Sequence, residues 1–174
     1  KVTGFDHNPA SDTKSNTGLV GLRNLGCTCY MNSMMQQFFM VEHMRYGILS
    51  VEPNEEEKAN PAESVMAQLQ RNFGFLEASD RQDYNPIGFC QTYRDPDGNP
   101  VNVNVQQDAQ EFLNFFMDKV EHRLKDTPQE TLLDRVFSFS MASQLRSKHE
   151  KFFRSTPEKF LTLSLEVTNR KTIE

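Results

Sequence analysis

The chain has 174 residues, 37% of them hydrophobic and 25% charged, and a formal net charge of −5. That length can bury the core of one domain, and the balance excludes a disordered chain. No apolar run approaches the ~20 residues of a membrane span, the polar start Lys1–Ser15 lacks a signal-peptide core, and the acidic charge points away from nucleic acid and toward a basic peptide. Three cysteines, an odd number, argue against a disulfide framework and for a reducing compartment: the cytoplasm, with the nucleus left open. The chain opens on Lys1 rather than methionine and stops at Glu174 just after a strand-like segment, so it reads as a piece of a longer protein.

Residues 1–17 are polar and carry turn formers, Asn8-Pro9 among them, which predicts a flexible lead-in. Structure is expected from about residue 18, starting with Leu19 and Val20. From Cys29 to about Met40, Met31, Met34, Met35, Phe38 and Phe39 recur at helical spacing. The methionines fit either an adaptable binding face or, more simply, a packed core. A short helix is predicted over Glu42–Leu49, and a solvated loop over 51–62, where Glu55-Glu56-Glu57 form a charge run. Val65, Leu69, Phe73 and Leu76 mark the next amphipathic helix. A loop at Asn85-Pro86 then leads into the apolar patch Ile87–Tyr93, with Cys90 read as core. Asp95–Pro100 is a turn, and Val101, Val103 and Val105 alternate with asparagines as a brief extended segment would. The longest stripe, Ala109, Phe112, Leu113, Phe116, Val120 and Leu124, predicts a helix over about Asp108–Lys125. After a short helix ending near Asp134 the period becomes two, at Phe137, Phe139 and Met141 and again at Leu161, Leu163, Leu165 and Val167, which predicts half-buried antiparallel strands. The fold class is α+β, a mostly helical half followed by the opening strands of a sheet.

The chemistry concentrates in Gly21-Leu22-Arg23-Asn24-Leu25-Gly26-Cys27-Thr28-Cys29-Tyr30-Met31-Asn32-Ser33. A glycine-punctuated loop delivers Cys29 to the first turn of a helix, where free backbone N–H groups favour a thiolate over a thiol. Asn24, five residues earlier, is placed to donate its side-chain N–H to an oxyanion beside the Cys29 backbone N–H. Gly21 and Gly26 would let the loop approach a substrate backbone. Residue types alone leave Cys29 open between nucleophile and small buried hydrophobe.

This stretch resembles the cysteine box of the ubiquitin-specific proteases, the papain-like deubiquitinating enzymes. The resemblance implies a papain-like cysteine peptidase, with Cys29 where the family's nucleophile sits and Asn24 where its oxyanion-hole asparagine sits. Gln36 and Gln37 continue the match, and Cys27 departs from it, standing where asparagine or alanine is usual. Cys27 is read as a packing residue first and a redox partner of Cys29 second. Further on, Gln106-Gln107-Asp108-Ala109-Gln110-Glu111-Phe112-Leu113 resembles the family's second signature, a helix that lines the channel for the basic C-terminal tail of ubiquitin. It implies Gln107, Asp108 and Glu111 as substrate-binding residues, although Asp108 with Glu111 three residues on is also a capping-box pattern. The likeness runs on through Phe89, Phe137–Arg146 and Phe160–Val167, as a thumb of about 18–134 passing into fingers and palm from about 135. The very large fat-facets-like members are the nearest fit.

Many family members carry a Cys-x-x-Cys pair between those two strands. Here Ser147 and Glu150 stand at the corresponding places, with His149 between them, so no zinc is expected. The family's histidine comes from a Gly-His-Tyr box far downstream; His7, His43, His122 and His149 lack that setting, so the chain alone is expected to be inactive. The implied activity is thiol-dependent hydrolysis of the isopeptide bond at ubiquitin's terminal glycine, with ubiquitin and ubiquitinated proteins as partners. The alternative is a non-catalytic ubiquitin-binding module or pseudoenzyme. No cofactor, nucleic-acid or membrane partner is expected, and oligomeric state leaves no mark in the sequence.

Overall fold

The computed structural model describes residues 13–148, 152–163, 165 and 168. It is α+β, and its contacts divide it into a helical unit ending at Glu130 and a second unit from Thr131. His7, His149, Glu150, Ser164, Glu166 and Val167 lie outside the described residues. No described helix is long and apolar enough to cross a membrane.

In the first unit, the described end of the lead-in is tied down: Thr13 bridges to Arg81, and the Lys14 N–H donates to the Asp80 carbonyl at 2.7 Å. β1 (Gly21–Leu22) pairs in parallel with β2 (Asp83–Tyr84), a two-residue ladder too short to leave a periodic signal. α1 (Cys29–Met40), α2 (Glu42–Leu49), α4 (Val65–Ala78) and α6 (Ala109–Leu124) fall on the predicted stripes. The Ile87–Tyr93 patch forms a short helix, α5 (Ile87–Thr92).

The core is aromatic and runs along α6. Phe116 stacks on Phe38 of α1 at 5.1 Å and lies 6.4 Å from Phe89 of α5; Phe112 meets Tyr30 edge-on at 5.4 Å and Tyr93 at the same distance. Each such side chain removed from water contributes roughly 1.5–3 kcal/mol. Met31 and Met35 are fully buried among them while Met40 is exposed, so the methionine helix is chiefly a packed core rather than a binding face.

Two expectations in this unit need correction. The 51–62 segment is not simply a solvated loop, because Glu55–Ala59 forms α3. Asn54 accepts from the Glu57 N–H at 2.9 Å while the Glu57 carboxylate accepts from the Asn54 N–H at 3.0 Å, a complete capping box. Glu57 is then buried against Arg123 of α6 instead of facing solvent. The valine segment 101–105 forms no strand; it is a turn whose Val103 carbonyl is spent on the cysteine loop, as described below.

In the second unit, α7 (Leu132–Phe137) extends past Asp134 and takes up Phe137, which the two-residue period assigns to a strand. β3 (Phe139–Arg146) pairs antiparallel with β4 (Phe153–Phe160), in register Phe139 to Phe160 through Arg146 to Phe153. The second strand therefore precedes the alternating segment that was expected to form it. The strands are also largely exposed rather than half-buried, with Met141, Leu145 and Phe153 all in contact with solvent. Lys159 of β4 forms an ion pair with Asp134 of α7.

Candidate active site

Four of the five sequence-predicted site residues, Cys29, Asn24, Asp108 and Glu111, are exposed, and Gln107 is partly so. Cys29 is the first residue of α1 and its thiol faces solvent. Tyr30 meets Phe112 near both helix starts and Phe38 meets Phe116 further along, so α1 and α6 begin at the same end of the unit. The two starts differ electrically. At α6, Asp108 caps the helix, accepting from the Gln110 and Glu111 N–H groups at 2.8 and 2.9 Å. At α1 there is no side-chain cap and no acidic residue in the first turn, so its leading N–H groups are free to meet negative charge.

Asn24 explains the missing cap. Its Oδ1 accepts from the Thr28 hydroxyl at 2.9 Å, the Thr28 N–H at 3.2 Å and the Gly26 N–H at 3.3 Å. The Thr28 hydroxyl, otherwise the natural cap, is turned back into the loop and buried. With its oxygen committed, the Asn24 side chain keeps its NH2 without a partner among the described residues. The loop thus leaves two donors, the Asn24 amide and the backbone N–H of Cys29, without a hydrogen-bond partner among the described residues.

A second loop, Asn102–Gln107, is stitched to the first. The Cys27 N–H donates to the Val103 carbonyl at 2.6 Å. Gly26 sits at φ +135°, and a Cβ there would lie 2.5 Å from that same carbonyl oxygen. The close approach expected of Gly26 is therefore made to the protein's own backbone rather than to a substrate, while Gly21 has ordinary clearance and negative φ. Gly26→Ala combines a backbone clash with positive-φ strain and should cost about 2–3 kcal/mol. Chemical denaturation of the chain checks this; a midpoint equal to the parent's would refute it.

Sequence reasoning missed Gln106. Its Oε1 accepts from the Cys29 thiol at 3.3 Å across 77 residues of chain. The available signal was its place at the head of the stretch Gln106–Leu113 that resembles the family's second signature, which points to Gln107, Asp108 and Glu111 but gives Gln106 no role. Of the other cysteines, Cys90 is buried beside Met31, and burial pushes its thiol up to about 11. Burial, with Cys90 and Cys29 adding to it, likewise raises the Tyr30 phenol to about 12. Asp108 caps its helix, whereas among the described residues the Asp108 N–H does not donate to the Glu111 carboxylate, so the capping box is half made and Glu111 stays exposed. Among the described residues no group of three or more His, Cys, Asp or Glu side chains could hold a metal ion.

A large open cleft, about 1010 Å³, lies elsewhere, between α3, α4 and the later turns of α6. It is lined by Glu57, Arg123 and His122 among others, and Cys29 takes no part in it. His122 stands in the last turn of α6, about 20 Å along that helix from its start, and His43 in the first turn of α2, beyond the roughly 17 Å length of α1, so neither is at the helix starts that hold the site. Neither can exchange a proton with Cys29.

The family model described as ubiquitin carboxyl-terminal hydrolase matches residues 20–165. The chain belongs to that family. It is 33% identical over 170 residues to ubiquitin carboxyl-terminal hydrolase puf of Drosophila melanogaster, covering 98% of this chain and 4% of that protein. To ubiquitin carboxyl-terminal hydrolase 24 of Mus musculus it is 34% identical over 170 residues, 98% of this chain and 6% of the relative. Ubiquitin carboxyl-terminal hydrolase 15 of Saccharomyces cerevisiae is 33% identical over 163 residues, 94% of this chain and 13% of its own. The chain thus spans a small part of the length of the curated relatives it matches. The span matched to the hydrolase family takes in both loops of the site, from Asn24 to Cys29 and from Asn102 to Gln107.

Proposed function

We propose that the complete protein is a thiol-dependent deubiquitinase hydrolysing the isopeptide bond at the C-terminal glycine of ubiquitin, and that this chain supplies its nucleophile and oxyanion donors. Family membership supports the reaction class. The observation that carries the residue assignment is the exposed Cys29 thiol at an uncapped helix start, beside an Asn24 amide whose oxygen is already bound.

In this reading the Cys29 sulfur attacks the glycine carbonyl carbon and a C–S bond forms. The carbonyl electrons move onto oxygen, where the Cys29 N–H and the Asn24 Nδ2–H donate to the oxyanion. Collapse breaks the C–N bond, and the lysine amine leaves after taking a proton. Water then hydrolyses the thioester, releasing the glycine carboxylate and restoring the thiol. The proton carrier is assigned to a histidine elsewhere in the longer protein, since His43 and His122 are out of reach. Gln107, Asp108 and Glu111, on or next to the exposed start of α6, are assigned to the ubiquitin tail, with Glu111 free to pair with an arginine.

The test is to treat the complete protein with ubiquitin bearing a C-terminal vinyl electrophile and map the adduct by mass spectrometry. The adduct is expected on Cys29. An adduct on another cysteine would defeat the assignment of Cys29, and none with the protein folded would favour the binding-module alternative.

A further inference from the structure

We infer that Gln106 is a positioning residue for Cys29: its side-chain amide accepts the thiol S–H in the resting protein and, turned over, donates N–H to the sulfur once the proton has left. The inference rests on Cys29 being the nucleophile.

The Cys29 Sγ lies 3.3 Å from Gln106 Oε1, within hydrogen-bond reach for sulfur. The two atoms at the end of a glutamine side chain occupy near-equivalent positions, so a half-turn about the last bond exchanges acceptor for donor in place. Little resists that turn. Among the described residues the Nε2 makes a single hydrogen bond, to the neighbouring Gln107 carbonyl at the long distance of 3.5 Å, and the side chain is exposed. The backbone carrying it is held firmly by comparison. The Cys27 N–H fixes the Val103 carbonyl at 2.6 Å, the Val105 N–H returns to the Asn102 carbonyl at 3.1 Å, the Asn104 N–H to Asn102 Oδ1 at 3.0 Å, and α6 begins at the capped Asp108. A rigid base with a freely turning amide at its tip suits a group that must follow a change in its partner's protonation. A purely structural glutamine would have its polar atoms tied into the fold.

The measurement is the rate at which iodoacetamide alkylates Cys29 in this chain, read from the Cys29 peptide by mass spectrometry. In that reaction the thiol proton passes to buffer, sulfur attacks the methylene carbon, a C–S bond forms and iodide leaves. Gln106→Met, similar in shape without an amide, should slow alkylation about three- to tenfold, the worth of one hydrogen bond to the reacting sulfur. Gln106→Glu, which keeps an acceptor and loses the donor while adding like charge, should be slower still. The Cys29 S–H stretching band, isolated by difference against Cys29→Ser, should shift to higher frequency in Gln106→Met. Thermal melts of all variants should coincide with the parent, because the side chain is exposed. Equal alkylation rates for the parent and Gln106→Met, or an unmoved S–H band, would overturn the inference. Alkylation reads the sulfur without ubiquitin, so a failure here, with the ubiquitin adduct still on Cys29, leaves the proposed function intact.

Discussion

Asn24→Asp in the complete protein is expected to preserve the fold and lower kcat for ubiquitin cleavage by about 10²–10³-fold, the usual worth of one oxyanion donor. Aspartate keeps an acceptor for the Thr28 hydroxyl, the Thr28 N–H and the Gly26 N–H, so the loop survives. It removes the outward NH2 and sets a negative charge where the oxyanion would form. Asn24→Ala is the less informative change, because it strips the acceptor from a fully buried Thr28 and should cost about 1–3 kcal/mol of stability as well. Cys29→Ala should end turnover outright while ubiquitin still binds, since Cys90 is buried and Cys27 stands ahead of the helix in the stitched loop. Steady-state hydrolysis of a ubiquitin C-terminal amide, run beside thermal melts, separates these outcomes. Parental kcat in Asn24→Asp would remove Asn24 from the mechanism.

Arg123→Met should destabilise the first unit by about 3 kcal/mol, lowering its melting temperature by roughly 6–12 °C. Arg123 grips Glu57 with both arms of its guanidinium, Nε at 2.7 Å and Nη2 at 2.5 Å, and Nη2 also donates to the Glu52 carbonyl at 2.9 Å. Only 10% of the Glu57 side chain is exposed, so removing the arginine strands a carboxylate in a poorly solvated place. Burial alone would raise the Glu57 carboxyl, but the hydrogen bonds from Arg123, the Asn54 N–H and Ser64 outweigh it and hold the group below its ordinary 4.5. A depressed folded value means the contribution is complete above about 4.5 and is lost as the pH falls through the folded value. The parent should therefore lose stability on acidification below that point, and Arg123→Met should lose less over the same interval. Melting curves at neutral and acidic pH test both statements; a variant as stable as the parent at neutral pH would show the pair to be incidental.

What the sequence yields depends on whether a residue's task leaves a period. α1, α2, α4 and α6 were legible because each buries a continuous apolar face, and Cys29 because a resemblance pointed to it. α3 is masked by the charge run Glu55-Glu56-Glu57, which resembles a solvated loop, although Asn54 followed three residues later by Glu57 spells a capping box. β4 was placed too late because Phe153–Phe160 lacks clean alternation and holds Pro157, whereas the segment from Leu161 onward alternates. On a ribbon exposed on both sides, alternation carries no information about burial. Gln106 acts through one contact to the thiol and the inward-turned oxygen of Asn24 through three within its own loop; loop conformation sets them all, and no periodicity reports those.

The thiol and its amide partner stand 77 positions apart along the chain. Closing so wide a loop costs entropy that local helix formation cannot repay, so this contact belongs to the later events of folding. Newly made chains would keep the sulfur unaccompanied until the intervening helices have docked. A protease cut at the surface turn around Gly98 would leave it fastened, because the bonds that hold the Gln106 loop all lie beyond the cut.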